Sequence, residues 1–158
     1  MMFISTLSRR TALCAMALLL TCLSSGALAQ SGQRQVHGSW EAHYIVLPTT
    51  ALQPEIAARN GITRSNNMAF INISILDARQ SPATPHPATL SGQALNLVGQ
   101  PVPLEFRTIT EGQAIYHIAV FRFSHREILR FQLDFQPEGD ARSYALRFSQ
   151  PIYREDRP

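Results

Sequence analysis

Apolar residues recur at every second position along most of the chain after Gly38, which is the period of a half-buried β-strand. The clearest example is the segment in which Ala69, Ile71, Ile73 and Ile75 alternate with Phe70, Asn72 and Ser74. Six further segments of this kind lie at 40–45, 90–97, 104–108, 114–123, 128–136 and 144–148, with turn-forming residues between them. Segment 114–123 is partly apolar on both faces, which predicts a central strand covered on both sides.

This strand pattern predicts an all-β fold, an immunoglobulin-like antiparallel β-sandwich of about seven strands. One short helix follows the first strand, because Pro54 suits the first helical position and Gly61 suits a left-handed cap. Glu55 and Arg59 lie where the helix dipole favours an acid and a base. Two turns of helix are too short to be stable alone, so we expect Ile56 and the neighbouring alanines to pack across an open edge or end of the sandwich.

The first residues have the pattern of a cleavable signal peptide. Arg9 and Arg10 precede an apolar run at 12–23, and Ala-Leu-Ala at 27–29 provides a small-residue cleavage site. The run is too short to span a membrane, for which about 20 residues are needed. We therefore predict a signal peptide at 1–29, a single β-sandwich domain at 30–158 with no transmembrane segment, and a periplasmic location.

Two other export routes fit the sequence less well. Arg9 and Arg10 resemble a twin-arginine signal, but Ala12 occupies the position where that signal usually has phenylalanine. Residues 19–22 resemble a lipoprotein box, but Thr21 precedes Cys22 where glycine or alanine is expected. Both remain alternatives to ordinary signal-peptide export.

Cysteine content and charge indicate how the domain is stabilised and which partners are disfavoured. Cys14 and Cys22, the two cysteines, both lie in the predicted signal peptide, so the exported domain must be stabilised by packing rather than by disulfides. Of the 14 basic residues Arg9 and Arg10 also lie there, which leaves 12 against 11 acidic residues, a net charge of +1. That balance predicts no basic field for nucleic acid or an anionic membrane.

No motif of a common enzyme class is present in the sequence. It has no G-x-S-x-G, H-E-x-x-H or S-x-x-K motif and no glycine-rich phosphate loop. Five histidines, at positions 37, 43, 86, 117 and 125, are not spaced as metal ligands. Asn72-Ile73-Ser74 matches a glycosylation sequon but falls inside a predicted strand, so we discount it. We therefore assign no catalytic residue, metal ligand or cofactor.

One polar cluster lies between the predicted helix and the strand that follows it. It comprises Asn60, Arg64, Ser65, Asn66 and Asn67. The arginine and the amides could hold an anion, a sugar or a partner at one end of the sandwich. Alternatively, the asparagines are good turn residues and the arginine can bond the last helix carbonyls. These five residues are the candidate site for a ligand or partner.

Several segments together resemble a known family. They are Leu52–Ala57, Gly61–Ser65, Asn72–Leu76, Leu104–Arg107, Gln136–Gly139 and Phe148–Gln150, within a likeness that runs from about Trp40 to Tyr153. In these the chain resembles a family of small exported proteobacterial proteins known only as a domain of unknown function (number 4426). The resemblance implies a periplasmic or envelope setting and carries no activity, cofactor or site residue.

Three hypotheses for the function follow. We favour a non-catalytic binding or interaction module of the cell envelope, which binds an envelope protein or a small ligand through a loop end or a strand edge. The first alternative is a hydrolase or metal-dependent enzyme whose site is assembled from dispersed His, Asp and Glu residues. The second is a purely structural envelope component. The sequence carries no indication of the oligomeric state.

Overall fold

A computed structural model describes residues 33–154, in which there are ten β-strands, a short α-helix and a single 3-10 turn. The strands are β1 (Arg34–His37), β2 (Trp40–Pro48), β3 (Met68–Asp77), β4 (Thr84–Pro85), β5 (Ala88–Leu95), β6 (Pro101–Pro103), β7 (Arg107–Glu111), β8 (Ala114–Arg122), β9 (Glu127–Pro137) and β10 (Tyr144–Ile152). The 3-10 turn spans Thr49–Ala51, and helix α1 spans Pro54–Arg59. The predicted signal peptide lies outside the described residues. Within the range 33–154 no helix is long and apolar enough to cross a membrane.

The strands form two antiparallel sheets. The six-stranded sheet has the order β1-β2-β3-β8-β7, and β4 pairs with the last two residues of β3. The four-stranded sheet has the order β10-β9-β5-β6. One face of each sheet contributes to a shared hydrophobic core, so the antiparallel β-sandwich predicted from the sequence is confirmed.

The core follows the period of two seen in the sequence. Its buried members include Ala69, Ile71, Ile73 and Ile75 of β3 and Leu129, Phe131, Leu133 and Phe135 of β9. Aromatic rings join the two sheets, since Tyr44 stacks on Phe148 at 4.0 Å between ring centroids and Phe148 stacks on Phe131 at 4.7 Å. Burial of this apolar surface is the main force that holds the sheets together.

The seven predicted strands correspond to β2, β3, β5, β7, β8, β9 and β10, and three short strands were not predicted. The predicted segment 104–108 overlaps β7 only at Arg107 and Thr108. Strand β1 adds an edge to the six-stranded sheet, while β4 and β6 are two and three residues long and contain proline. Strand β8 lies between β3 and β7 and has buried residues on both faces, as the pattern of segment 114–123 predicted. The third predicted strand is shorter than expected, because β5 ends at Leu95 and Leu97 lies in the following turn.

Gly92 marks the closest approach of β5 to β9. Its φ is +135°, and a Cβ atom added there would lie 2.2 Å from the Gln132 carbonyl oxygen and 2.8 Å from the Leu133 Cα. Residues with a side chain rarely adopt that backbone conformation. The backbone of β9 cannot move away from Gly92 without disturbing its pairing with β5. Glycine is therefore required at this position by both space and conformation.

Candidate functional site

Helix α1 has well-formed ends for its length. Pro54 occupies its first turn, and Gly61, at φ +59°, provides the left-handed cap that the sequence predicted. The Ile62 N–H donates to the Ala57 carbonyl at 2.8 Å and the Gly61 N–H donates to the Ala58 carbonyl at 3.0 Å. This is the hydrogen-bond pattern of a Schellman motif, which fixes the direction in which the chain leaves the helix.

The helix packs on the outer face of the six-stranded sheet. Ala57 and Ile62 are buried against Phe70 of β3 and Ile118 of β8, and together they form a second hydrophobic cluster. The expectation that the helix crosses an open edge or end of the sandwich is therefore wrong. Phe70 and Ile118 alternate with the residues of the main core, so the sheet offers a second apolar surface that the helix covers. Ile56 contributes little to this contact and is 38% exposed.

A cleft of about 230 Å³ remains between α1 and the sheet, and we call it the α1 cleft. Its lining is mainly apolar. It is formed by Leu52, Ile56, Asn60, Ile62, Phe70, Asn72, Ile109, Glu111, Tyr116 and Ile118. A concave apolar surface with a few polar groups is the usual character of a small-ligand site.

Asn72 provides the unusual polar group of the α1 cleft. Its side-chain Oδ1 is buried and has no hydrogen-bond partner. A buried acceptor without a donor destabilises a fold by about 1–3 kcal/mol, and native proteins contain few of them. The protein itself therefore leaves a buried acceptor unused on a residue that lines the cleft.

Arg107 of β7 fixes the position of the helix over the cleft. Its guanidinium Nη2 donates to the Asn60 carbonyl oxygen at the end of α1. The Asn60 side-chain Nδ2 donates in turn to the Ile56 carbonyl at 3.0 Å. The helix end is thus tied to the strand that carries Ile109 and Glu111, two residues of the lining.

Most of the polar cluster predicted as a site bonds to the 3-10 turn or within itself. Arg64 Nη2 donates to the Thr50 carbonyl at 2.9 Å, in the 3-10 turn rather than at the end of α1. The Ser65 N–H donates to Thr49 Oγ1 at 2.9 Å, and the Ser65 hydroxyl donates to Asn67 Oδ1 at 2.7 Å. These bonds join the 3-10 turn to the segment that leads into β3.

The five residues of the predicted cluster do not form one surface. Asn60 lines the α1 cleft, whereas Arg64, Ser65 and Asn67 contact the 3-10 turn or each other. Asn66 is exposed beside them. Their role as a ligand site stays a prediction, and the geometry gives Asn60 a different environment from the other four.

A second polar cluster lies at the opposite end of β3. Asp140 accepts hydrogen bonds from Trp40 Nε1 at 3.0 Å and from the Tyr144 hydroxyl at 2.8 Å on one oxygen. Its other oxygen accepts from the Arg142 N–H at 3.0 Å. The Arg142 backbone N–H, followed by Trp40 and Tyr144, lowers the pKa of the Asp140 carboxyl to about 2. The carboxylate is therefore ionised at neutral pH and its oxygens are occupied.

Asp77 and Arg79 extend the same cluster. Arg79 Nε and Nη2 donate to the two carboxylate oxygens of Asp77 at 2.8 and 2.7 Å. This side-chain hydrogen bonding is the main reason that the pKa of Asp77 falls to about 2. The Arg79 guanidinium also lies 5.0 Å from the ring centroid of Trp40. The charges of the cluster are paired and the face of its tryptophan is covered, so it holds the sandwich together.

The two strand histidines lie on opposite faces of the six-stranded sheet. His43 bonds Glu41 at 2.9 Å on the outer face, whereas His117 is 2% exposed and faces inward. His117 Nδ1 is 3.0 Å from Thr108 Oγ1, its Nε2 has no partner, and burial lowers the pKa of the ring. Between residues 33 and 154, no group of three or more His, Cys, Asp or Glu side chains is arranged to hold a metal.

The residues that shape the α1 cleft were not predicted from the sequence. Asn72 was predicted as a polar position of a strand, within a discounted glycosylation sequon, and Glu111 was given no role. A signal for Asn72 was available, because a lone amide on the same strand face as Phe70 is unusual once that face is covered. No local signal identifies Arg107, which bonds a carbonyl 47 residues away in the sequence.

Comparison with known proteins shows what this chain is similar to. A family model described as "Domain of unknown function (DUF4426)" matches residues 34–155. The crystal structure of a DUF4426 family protein from Pseudomonas aeruginosa PAO1 is similar, with a TM-score of 0.69 and 32% sequence identity over 78% of this chain and 96% of that one. No curated protein matches this chain.

Proposed function

The chain belongs to the DUF4426 family, as its resemblance in sequence predicted, and on that premise we propose that it is a non-catalytic periplasmic binding module. Its ligand is a small, largely apolar molecule held in the α1 cleft. The family description gives no activity, so the proposal rests on the chemistry of the cleft. The single observation that carries it is the buried, unpartnered Oδ1 of Asn72, a residue of the mainly apolar lining.

The lining defines the class of ligand. The apolar residues favour an apolar body, because its burial removes hydrocarbon surface from water. If the Asn72 amide turns towards the cleft, its Oδ1 can accept from an N–H or O–H donor of the ligand, which would remove the cost of leaving that acceptor unpaired. Glu111 is the one carboxylate of the lining and disfavours an anion. A neutral or cationic molecule with one donor group therefore fits best.

The same lining supports a binding role rather than a catalytic one. It contains Glu111 but no histidine, and Tyr116 is its other ionisable residue. Acid–base catalysis needs a positioned proton donor or acceptor within reach of a second reacting group. The periplasmic location in this proposal is supported by the sequence of residues 1–29, with its basic start, apolar run and small-residue cleavage site.

Indole and benzofuran form a matched pair of probes for the α1 cleft. Both have the size and shape of a fused bicyclic ring, but only indole has an N–H donor. Each is titrated into isotope-labelled protein, and the backbone amide shifts of Phe70, Ile109 and Ile118 are followed. We expect both compounds to shift these amides and indole to bind about fivefold tighter, the value of one hydrogen bond of about 1 kcal/mol.

Two variants assign the effect to the cleft. Asn72→Leu removes the acceptor and should abolish the preference for indole while benzofuran still binds. Ile56→Asp places a charge at the partly exposed rim and should weaken both compounds, whereas Val36→Asp, at an exposed position on β1, should weaken neither. Equal affinity for the two compounds, or no shift at the cleft amides, would overturn the proposal.

A partner protein could reach the cleft with a side chain of the same chemistry, since indole is the side chain of tryptophan. N-acetyltryptophanamide carries the same ring attached to a peptide backbone. Binding of indole together with exclusion of N-acetyltryptophanamide supports a free small ligand. Tighter binding of the amide than of indole would assign the cleft to a protein partner instead.

A further inference from the structure

The carboxylate of Glu111 has no charged partner in the described part of the chain. Glu111 is exposed at the end of β7 and lines the α1 cleft. Elsewhere on the strands, Glu41, Asp77 and Asp134 lie 2.9, 2.7 and 3.0 Å from a histidine or arginine nitrogen. No ion pair or side-chain hydrogen bond of Glu111 occurs between residues 33 and 154. The protein therefore leaves this charge available to a ligand.

No basic side chain neutralises Glu111 from within the cleft. The residues that line the cleft include no arginine or histidine, so the formal charge of the lining is −1. Arg107 lies on the same face of β7, but it precedes Glu111 by about 13 Å along an extended strand. Its guanidinium donates to the Asn60 carbonyl at the end of α1. The negative charge of the cleft is thus not offset by a side chain of the lining.

Tyr116 places an aromatic ring beside this carboxylate. Across β7 and β8, Ile109 lies opposite Tyr116 and Glu111 lies opposite Ala114. Tyr116 is therefore the diagonal neighbour of Glu111, at about 7–8 Å between Cα atoms. Ile109 and Tyr116 pack against the second hydrophobic cluster on the outer face of the sheet. Glu111 follows Ile109 by two positions, so its side chain lies on that face too.

From this arrangement we propose that the α1 cleft selects organic cations, with an ammonium group between the Glu111 carboxylate and the Tyr116 ring. A carboxylate attracts a cation, and so does the face of an aromatic ring when the cation lies within about 6 Å of the ring centroid. The apolar body of the ligand lies against Ile109 and Ile118 of the same lining. Glu111 and Tyr116 are thus the residues that determine the specificity for charge.

An organic cation fits this place better than a metal ion does. Ca²⁺ takes about 6–8 oxygen ligands, whereas Glu111 is the one carboxylate of the lining. In the range 33–154 no group of three or more His, Cys, Asp or Glu side chains is arranged to hold a metal. An ammonium group on an apolar body needs a single carboxylate and also uses the apolar part of the lining.

Selection of a cation rests on the proposed function of the α1 cleft as a ligand site, but it uses Glu111 and Tyr116 rather than Asn72. The preference of the cleft for indole over benzofuran can therefore be absent while a preference for amines holds. The converse is also possible, because indole is neutral and does not test the charge of the cleft.

Three phenyl compounds with the same two-carbon linker measure the effect of charge. Phenethylamine is cationic at pH 7, phenethyl alcohol is neutral and hydrocinnamate is anionic. Because the amine and the alcohol both donate hydrogen bonds, the difference between them reports charge and not the presence of a donor. The backbone amide shifts of Ile109, Tyr116 and Ile118 follow each titration at low salt. We expect the amine to bind about three- to fivefold tighter than the alcohol and hydrocinnamate to bind more weakly than either, with smaller differences as salt is raised.

Variants assign the preference to the two residues. Glu111→Gln should bring the affinity for the amine down to that for the alcohol, and Tyr116→Leu should reduce the preference about twofold. Tyr116→Phe, which keeps the ring, should retain it. Glu138→Gln, in the exposed turn between β9 and β10, removes an acid that lies outside the cleft and should retain it as well. A thermal unfolding midpoint close to that of the parent protein verifies that each variant is folded.

Charge selection would be ruled out by any of three results. If the alcohol shifts the cleft amides and the amine binds no tighter, the cleft is a ligand site without charge selection, and the proposed function stands alone. If the preference for the amine persists in Glu111→Gln, the cation is bound elsewhere. If neither compound shifts the cleft amides, charge selection and the proposed function fall together.

Discussion

Trp40 Nε1 donates a 3.0 Å hydrogen bond to Asp140 Oδ2, although the two residues are 100 positions apart in the chain. Trp40 begins β2 of one sheet, and Asp140 lies in the turn between β9 and β10 of the other. The bond therefore joins the two sheets at one end of the sandwich. Trp40 is also the single tryptophan, so its fluorescence reports on this junction.

Replacing Asp140 by Asn should make the free energy of unfolding less dependent on pH in the acidic range. Because the pKa of the Asp140 carboxyl is lowered to about 2 from an ordinary value near 3.8, its contribution is complete above pH 4 and is lost as the pH falls towards 2. We expect Asp140→Asn to lower the urea midpoint at pH 7, and the difference from the parent protein to shrink between pH 4 and pH 2. Asp134→Asn, on the exposed face of β9, is the control. A difference that stays constant with pH would contradict this assignment.

Replacing Gly92 by Ala should be severely destabilising. The added Cβ would lie 2.2 Å from the Gln132 carbonyl oxygen in a backbone conformation that alanine rarely adopts. We expect a loss of about 2 kcal/mol or more in the free energy of unfolding, measured in urea. Gly99→Ala is the matched control, because its φ is +82° but no atom lies within 4 Å, so it should lose about 1 kcal/mol. Equal losses would show that space at Gly92 is unimportant.

His117 should make the fold sensitive to mild acid. Burial lowers the pKa of its ring, so the unfolded chain takes up a proton below about pH 6.5 while the folded chain does not. The contribution of this residue is therefore unchanged above pH 6.5 and declines as the pH falls below it, by up to about 1.4 kcal/mol per pH unit. His117→Leu should reduce this decline between pH 6.5 and pH 5. An unchanged slope in urea titrations would place the titrating group elsewhere.

Replacing Asn72 by Leu should stabilise the ligand-free protein. The change removes a buried acceptor that lacks a donor and adds apolar contact with the α1 cleft, so we expect a gain of about 1 kcal/mol. Ser74→Ala, on the same face of β3, should instead lower the stability, because it removes the hydrogen bond that the Ser74 hydroxyl donates to the Ile115 carbonyl at 3.0 Å. Thermal unfolding without ligand compares the two. A loss of stability in Asn72→Leu would mean that the amide is satisfied in solution.

Replacing Arg64 by Met should affect stability alone. Its guanidinium donates to the Thr50 carbonyl from an exposed position, so we expect a loss of about 0.5–1 kcal/mol. Methionine keeps part of the side-chain length but cannot donate. The affinity for indole should not change, and a weaker affinity in the Met variant would return Arg64 to the candidate site.

The parts of the fold that could be predicted are those specified by neighbours along the chain. Alternation of apolar residues located the longer strands, and Pro54 with Gly61 located the helix ends. Strands β1, β4 and β6 were missed because two to four residues are too few to show a period. They form because an edge of a neighbouring strand offers hydrogen bonds.

The candidate site was harder to predict because its parts are distant in sequence. The α1 cleft is formed by the helix with strands β3, β7 and β8, and its position depends on Phe70 and Ile118 forming a second apolar surface. An alternating strand shows that two faces exist but not what covers the polar one. The polar cluster around Arg64 was conspicuous in the sequence, yet its bonds go to the neighbouring 3-10 turn or between its own members.

Strand β3 serves two hydrophobic clusters at once, with Ile71 and Ile73 in one and Phe70 in the other. Insertion or deletion of one residue within Met68–Asp77 would exchange the two faces, placing Asn72 in the main core and isoleucines beneath the helix. Such changes should prevent folding, whereas the exposed turn at 96–100 can vary in length. Variation in length among descendants of this gene should therefore be confined to the hairpin tips and absent from β3.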